Sequence, residues 1–131
     1  MLPRTWHDWQ LTGIRSDGAE VVLSLAVEGE TARIRLSGVR HLLMSDFLLG
    51  SIVQRIEARP ADAPAVAAAH RFFVETARDA CVEERLEDFG TRLGPDDLVV
   101  ELVPTYGAVL CAICAEVREE TVGSRARRCV G

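Results

Sequence analysis

A turn signal at Asp17-Gly18, placed between two apolar segments, constrains the fold more than any other feature of the chain. This dipeptide favours the tight turn that joins two antiparallel strands. Apolar and polar residues alternate from Val21 to Glu28, and again from Thr31 to Ser37 beyond a second turn at Gly29. Alternation of this kind is typical of a strand with one buried face. The sequence therefore predicts an antiparallel meander whose first strand runs from Trp9 to Ile14.

The middle of the chain predicts a fourth strand and then a helix. Residues 38–50 are largely apolar without a clean period, and Ser45 or Asp46 is expected to cap a short helical turn. The fourth strand is predicted from Ser51 to Arg59. Asp62 and Pro64 then mark a helix start. Apolar residues follow at the three-and-four spacing of a helix, with a break expected near 83–90; they are Val66, Ala69, His70, Phe73, Ala77, Ala80 and Cys81.

The last part of the chain predicts a second hairpin. Alternation from Leu98 to Val103 precedes a turn at 104–107, and a final strand is predicted from Val109 to Val117. Strands followed by a segregated helix indicate an α+β fold, here an antiparallel sheet of about six strands with the helix packed on one face. We expect residues 1–118 to form a single domain and residues 119–131 a flexible charged tail.

Composition narrows the functional classes. The net charge of −5 makes a nucleic-acid partner unfavourable, because such proteins usually present a basic surface. All 15 basic residues are arginines, and their spread along the chain indicates codon bias more than phosphate binding. No apolar run is long enough for a membrane helix, and residues 1–8 lack the apolar stretch of a secretory signal. The sequence therefore predicts a cytoplasmic protein with no membrane partner and with reduced thiols.

A Cys-x-x-Cys motif occurs at Cys111 and Cys114. Such a motif serves zinc or redox sites when the two sulfurs converge on a turn or at a helix start. Here it lies inside a predicted strand, where residues three apart point to opposite faces. We therefore expect Cys111 to face the core and Cys114 the other side, with no metal and no cofactor.

Histidines and acidic residues supply the remaining candidates for chemistry. His7 and Asp8 are adjacent, but on a strand adjacent side chains point apart, so no pair is expected. His41 and His70 lie in apolar surroundings. Nucleophile-elbow, phosphate-loop and dinucleotide motifs do not occur in the sequence, so we assign no catalytic residue and favour a protein that is not an enzyme.

An acidic stretch follows the helical pattern. It is either a solvated helix end or a surface that meets a basic partner. The calcium-loop pattern of alternating oxygen ligands is missing from it. Together with His41, its carboxylates are the candidate binding residues: Glu83, Glu84, Glu87, Asp88, Asp96 and Asp97.

Four short motifs occur in order between residues 6 and 118. They are Trp6-His7-Asp8, Leu36-Ser37-Gly38-Val39, Leu49-Gly50-Ser51-Ile52-Val53 and Val103-Pro104-Thr105-Tyr106-Gly107-Ala108. The set resembles a loose group of small, mostly uncharacterised bacterial α+β proteins, some of which are similar to immunity proteins of polymorphic toxin systems. The resemblance implies a binder that covers a partner's site, and it supplies no catalytic residues.

Three hypotheses follow from the sequence. The first is a non-catalytic protein-interaction domain, immunity-like, whose acidic surface engages a partner protein. The second is a small-ligand-binding protein or minor enzyme that uses a pocket between sheet and helix, with His41 or His70 and a carboxylate. The third is a homodimer formed through sheet edges or the apolar segment Leu42 to Leu49.

Overall fold

A computed structural model describes residues 5–48, 50–76 and 93–124 of the chain. Within these ranges five strands precede one helix and three strands follow it. The strands are β1 (Gln10–Asp17), β2 (Glu20–Val27), β3 (Glu30–Ser37), β4 (His41–Ser45), β5 (Ile52–Pro60), β6 (Leu98–Tyr106), β7 (Val109–Cys114) and β8 (Glu116–Ser124), and the helix is α1 (Ala63–Thr76). The expectation of an α+β chain with an antiparallel sheet is confirmed.

The predicted number of about six strands is wrong, because the sheet has eight. Residues 41–45, expected to be irregular, form β4 and pair with β7 along its whole length. The period is hidden here because both faces of β4 pack against apolar neighbours: Leu42 and Met44 contact one core cluster and Leu43 another. A strand covered on both faces has no polar alternation to reveal it.

The second additional strand arises at the end of the chain. Residues 119–124, expected in the tail, continue β8 and pair with β3. Their charges fit a strand because they meet opposite charges across it: Arg35 donates to both carboxylate oxygens of Glu120, at 3.3 and 3.4 Å. The predicted boundary at 118 therefore falls within β8, and residues 125–131 of the predicted tail lie outside the described residues.

The strand order is β4-β7-β6-β5-β1-β2-β3-β8, so the sheet has two arms of four strands. The chain passes between the arms twice, from β3 to β4 through 38–40 and from β7 to β8 through Ala115. At this double crossing the Ala115 amide donates to the Ser37 carbonyl (2.9 Å) and the Arg40 amide to that of Ile113 (2.8 Å). The β3–β8 ladder therefore runs on into the β4–β7 ladder, and the sheet bends back on itself.

The two arms enclose one large apolar core. Its buried side chains come from both arms, which places the inner faces against each other; they include Leu11, Leu23, Leu25, Ile34, Leu36, Val53, Ile56, Val100, Leu102 and Leu110. Opposite the double crossing, the arms join where Gln10 pairs with Ile52 and where Leu11 and Trp9 form backbone hydrogen bonds with Ser51 and Val53. Trp6 and Trp9 pack edge to face at this join, with ring centroids 4.8 Å apart.

The helix begins where the sequence predicts. Asp62 caps it, because its Oδ1 accepts a hydrogen bond from the Ala65 amide at 2.9 Å. Val66, Ala69 and Phe73 are buried in a second apolar cluster, shared with residues of β6 and β7. The helical pattern predicted beyond residue 76, and the break near 83–90, lie outside the described residues. In the ranges described, no helix has the length and apolarity that crossing a bilayer requires.

Candidate functional site

A surface depression at one end of the sheet is a candidate site in the described part of the chain. Its volume is about 330 Å³, and we call it the end cleft; its lining residues are Asp46, Leu48, Thr76, Pro104, Thr105, Tyr106 and Gly107. Three segments build it: the loop that follows β4, the last turn of α1, and the end of β6 with its turn into β7. Because its walls come from separate parts of the chain, the end cleft depends on the complete fold.

Exposed apolar side chains gather at the end cleft. Phe47 is 43% exposed, Leu48 47%, Ile52 36% and Tyr106 53%. Leu48 and Tyr106 line the cleft, while Ile52 lies opposite Tyr106 in the β5–β6 register and Phe47 precedes Leu48. We call these four side chains the apolar rim. Exposed apolar side chains are common singly, so it is their concentration at one end of the sheet that marks a binding surface.

The buried hydroxyl of Ser51 holds the walls of the end cleft together. Its Oγ donates to the Leu48 carbonyl at 2.7 Å and accepts from the amides of Leu48 (3.1 Å) and Ala108 (3.2 Å). One side chain thus fixes the loop after β4 to the β6–β7 turn. A serine whose hydroxyl is buried and committed to three backbone groups serves structure and does not present a nucleophile.

Position 107 requires glycine because the β6–β7 turn passes close to Ser51. Its φ of +88° lies in a region that L side chains rarely adopt, and a Cβ there would meet Ser51 Cβ at 3.0 Å and Ser51 Cα at 3.1 Å. The turn can therefore approach Ser51 closely only without a side chain.

The chemistry of the lining suits binding better than proton transfer. Asp46 supplies a carboxylate, Thr76, Thr105 and Tyr106 supply hydroxyls, and Leu48 supplies apolar surface. The described lining includes no histidine and no cysteine, so it lacks the side chains most often used for general acid–base or nucleophilic work near neutral pH.

The two acidic candidates within the described residues, Asp96 and Asp97, do not line the end cleft. Asp97 is buried: its Oδ2 accepts from the Gly94 amide at 2.6 Å and lies 2.9 Å from Arg40 Nε. Its charge is therefore engaged in holding the loop before β6. Asp96 is exposed. The remaining acidic candidates, Glu83, Glu84, Glu87 and Asp88, lie outside the described residues.

The histidine candidates also lie away from the end cleft. His41 is half-buried at the first residue of β4, whereas the cleft begins beyond the last, Ser45. His70 is half-buried on α1, and it does not line the cleft either. The end cleft is a pocket between sheet and helix, but its described lining lacks the histidine that an acid–base hypothesis requires.

The expectation that His7 and Asp8 do not pair is wrong. Their Nδ1 and Oδ2 atoms lie 3.1 Å apart. The expectation assumed a strand, but the two residues form a turn in which Asp8 has a φ of +69°. Adjacent side chains can meet in such a turn. Both are exposed and neither lines the end cleft.

Cys111 and Cys114 face opposite sides of β7, as predicted, but the larger core contains Cys114 and not, as expected, Cys111. Cys114 belongs to the core between the arms and Cys111 to the cluster shared with α1, so both faces are buried. Burial raises the pKa of Cys114 to about 11. Burial, with the nearby Glu101 carboxylate, also raises the pKa of Cys111 well above its ordinary value. In the described part of the chain, no group of three or more His, Cys, Asp or Glu residues is placed to hold a metal ion.

The raised pKa values of Cys111 and Cys114 predict that both thiols are alkylated slowly. A Cys81→Ser/Cys129→Ser variant, which removes the other two cysteines, allows this to be measured. With its pKa raised from 9.0 to about 11, Cys114 carries roughly a hundredfold less thiolate at pH 8 than an ordinary cysteine. Labelling with iodoacetamide at pH 8 is therefore expected to be at least a hundredfold slower than in guanidinium chloride. Equal rates in the folded and unfolded protein would contradict this burial.

The same shift sets a pH dependence of stability. Between pH 9 and about 11 the unfolded chain has lost the Cys114 proton while the folded chain retains it. The free energy of unfolding should therefore fall as the pH rises through this window, and a Cys114→Ala variant should fall less steeply.

The sequence contains only faint signals for the end cleft. The sequence predicts a helix cap at Ser45 or Asp46 and a turn from Pro104 to Gly107, because those residue types favour caps and turns. Nothing in the one-dimensional pattern brings Leu48 and Tyr106 together. The ion pair of the half-exposed Arg59 with the buried Glu101 is equally hard to predict, since its partners are distant in sequence.

Comparison of the chain with protein-family models, curated proteins and solved structures finds no match. The resemblance based on four motifs therefore stays a prediction.

The four motifs lie where separate segments of the fold meet. The two that contain Ser51 and Gly107 contact each other beneath the end cleft. The one containing Gly38 forms the double crossing, where a Cβ would lie 2.8 Å from Ala115 Cβ. The last, containing Trp6, closes the join of the two arms.

Proposed function

We propose that the chain is a non-catalytic protein-interaction domain whose contact surface is the end cleft with its apolar rim. The observation that carries the proposal is the concentration of Phe47, Leu48, Ile52 and Tyr106, all substantially exposed, at one end of the sheet. Leaving such side chains in water has a cost that a partner would relieve. Aromatic residues beside a pocket are also typical of the residues that dominate binding energy in interfaces.

The dimensions of the surface favour a protein partner over a small substrate. A volume of about 330 Å³ is at the lower end of the range for small-molecule sites. A small ligand held there would leave Phe47 and Ile52 exposed, because neither residue lines the cleft. A protein surface covers the cleft and the rim together.

The resemblance and the charge point to the kind of partner. An immunity-like binder covers its partner's site, and the net charge of −5 favours a basic protein through electrostatic steering. The acidic stretch at 83–88 belongs to the proposal as a second contact region. We place this interaction in the cytoplasm, and products of neighbouring reading frames, toxin-like proteins first, are the candidate partners.

Replacing Tyr106 with alanine tests the contact surface. The variant is expected to weaken binding of the partner at least tenfold, because truncating an aromatic residue central to an interface removes over about 1.4 kcal/mol. A photo-crosslinking amino acid at position 106 should identify the partner in native cells. Calorimetric titration of the purified proteins then measures the affinity of the parent and the variant.

Arg33→Ala is the matched control, because Arg33 is exposed on β3 in the other arm. It should leave the affinity unchanged within a factor of about two. Equal losses for both variants, or crosslinks from position 33 alone, would contradict the proposed surface. Concentration-dependent dimers that Tyr106→Ala abolishes, measured by sedimentation, would assign the surface to a second copy of the chain instead.

A further inference from the structure

In the described part of the chain, the edge of β5 that faces β1 is paired along only a short stretch. The Val53 amide donates to the Trp9 carbonyl at 2.8 Å, and the Val53 carbonyl accepts from the Asp8 amide at 2.9 Å. Beyond Val53, no described strand pairs with this edge, which we call the open edge of β5. Alternate residues between 54 and 59 therefore direct backbone amides and carbonyls away from β6, as they do on the outer strand of a sheet.

The open edge of β5 carries two opposite charges in its exposed row of side chains. Gln54, Arg55 and Glu57 are exposed, whereas Ile56 and Ala58 are buried in the core between the arms. Arg55 Nε lies 3.0 Å from Glu57 Oε1, and the two side chains are 51% and 45% exposed. A strand that paired with this edge would therefore meet a cation and an anion, both within reach of its own side chains.

We propose that the open edge of β5 pairs with the same edge of a second copy of the chain, in an antiparallel dimer whose two-fold axis passes through Ile56. Residues directly opposite each other in an antiparallel pair lie on the same face, so their side chains interact. With Ile56 opposite its own copy, Arg55 of each chain lies opposite Glu57 of the other. Because the two-fold axis repeats this contact, the dimer gains two ion pairs between the copies.

Other registers of the same two strands are less favourable. With the axis at Ala58, Glu57 would lie opposite Arg59 of the other copy. Arg59 already contacts the buried Glu101 carboxylate, and Pro60 at the end of the strand has no amide to donate. An axis at a charged residue would place two like charges directly opposite each other. The register proposed above pairs exposed opposite charges without these costs.

The charge pattern favours a second copy over exclusion of all partners. Charged side chains often protect an edge strand, because like charges repel another strand of the same kind. Here Arg55 and Glu57 have opposite signs, so an antiparallel copy is attracted, and the outward backbone groups gain hydrogen bonds. Neither residue lines the end cleft, so this contact is separate from the surface of the proposed function and goes beyond it.

Charge reversal tests the dimer on the full chain. In sedimentation, the mass of the parent should rise with concentration from the 14.4 kDa of one chain to twice that value. Arg55→Glu and Glu57→Arg should each raise the dissociation constant at least about tenfold, because each converts both ion pairs into like-charge pairs. An equimolar mixture of the two variants should recover the dimer, since every glutamate then lies opposite an arginine. The Arg55→Glu/Glu57→Arg double variant should dimerise for the same reason.

Two reversals elsewhere on the surface are the matched controls. Glu28→Arg, in the exposed β2–β3 turn, changes the net charge as much as Glu57→Arg does. Arg33→Glu, on the exposed face of β3, does the same for Arg55→Glu. Both controls should keep the dissociation constant within a factor of about two of the parent's. Because all four side chains are exposed, each variant should also retain the far-ultraviolet circular dichroism of the parent.

Several outcomes would overturn the dimer. A parent chain that sediments as a monomer throughout the concentration series is one, and a mixture of the two variants that stays monomeric is another. Loss of the dimer in Glu57→Arg but not in Arg55→Glu would overturn the register centred on Ile56. A dimer that Tyr106→Ala abolishes and Arg55→Glu preserves would place the contact at the end cleft instead. The proposed function is decided independently, by the effect of Tyr106→Ala on binding of the partner.

Discussion

Gly107→Ala is expected to lower the free energy of unfolding by about 3 kcal/mol. Two costs add. A φ of +88° strains any L residue by about 1–2 kcal/mol. The new methyl group would also crowd the Cβ and Cα of Ser51, at 3.0 and 3.1 Å, and forcing a group into a packed site costs about 1–3 kcal/mol. Denaturant unfolding followed by tryptophan fluorescence measures the loss.

Gly29→Ala is the matched control for this measurement. Gly29 has a similar φ of +77°, but an added Cβ would meet no atom within 4 Å. Its replacement should therefore cost only the backbone strain of about 1–2 kcal/mol. The difference between the two variants isolates the close approach to Ser51, and equal losses would show that Gly107 is needed for its backbone angle alone.

Trp6→Ala is expected to cost about 3–5 kcal/mol, the usual range for deleting a fully buried aromatic side chain. Trp6 is 1% exposed and packs edge to face on Trp9, which adds about 0.5–1.5 kcal/mol beyond burial. The arms are also joined here by backbone hydrogen bonds, from the Leu11 amide to the Ser51 carbonyl (2.9 Å) and from the Val53 amide to the Trp9 carbonyl (2.8 Å). The tryptophan pair adds side-chain packing to this short stretch of backbone pairing.

Val74→Ala provides the comparison, since Val74 is exposed on α1 and its truncation should change stability by less than about 0.5 kcal/mol. Both variants are measured by denaturant unfolding. A loss under about 1 kcal/mol for Trp6→Ala would mean that the join does not depend on the tryptophan pair. A loss for Trp6→Phe between those of Val74→Ala and Trp6→Ala would indicate that aromatic packing is the main contribution of Trp6 to the free energy of unfolding.

The parts of the fold that sequence predicts are those set by local chemistry. Asp17-Gly18 and the alternation on both sides of it predict β1, β2 and β3 to within a few residues, because turn geometry and one buried face fix the register. Asp62 likewise predicts the helix start through its contact with the Ala65 amide. Such features need only neighbours in the chain.

The features that sequence misses depend on distant partners. Leu42 to Met44 form a strand only because β7 lies beside them and apolar clusters cover both faces. The sequence indicates a surface carboxylate at Asp97, because its burial and its ion pair with Arg40 depend on a residue distant in the chain. The end cleft is not predicted from the sequence for the same reason, since the exposure of Leu48 and Tyr106 depends on where other segments of the chain end.

The double crossing has a consequence for synthesis of the chain. Arg35 on β3 pairs with Glu120 on β8, which lies 85 residues further along the sequence. Strand β4 likewise pairs with β7, which follows the helix. Until β7 and β8 have been synthesised, β3 lacks the partner for one of its edges and β4 lacks its neighbour in the sheet. Closure of such long loops is slow, and an unpaired strand edge invites aggregation. The nascent chain must therefore keep β3 and β4 from pairing wrongly until β7 and β8 have been synthesised.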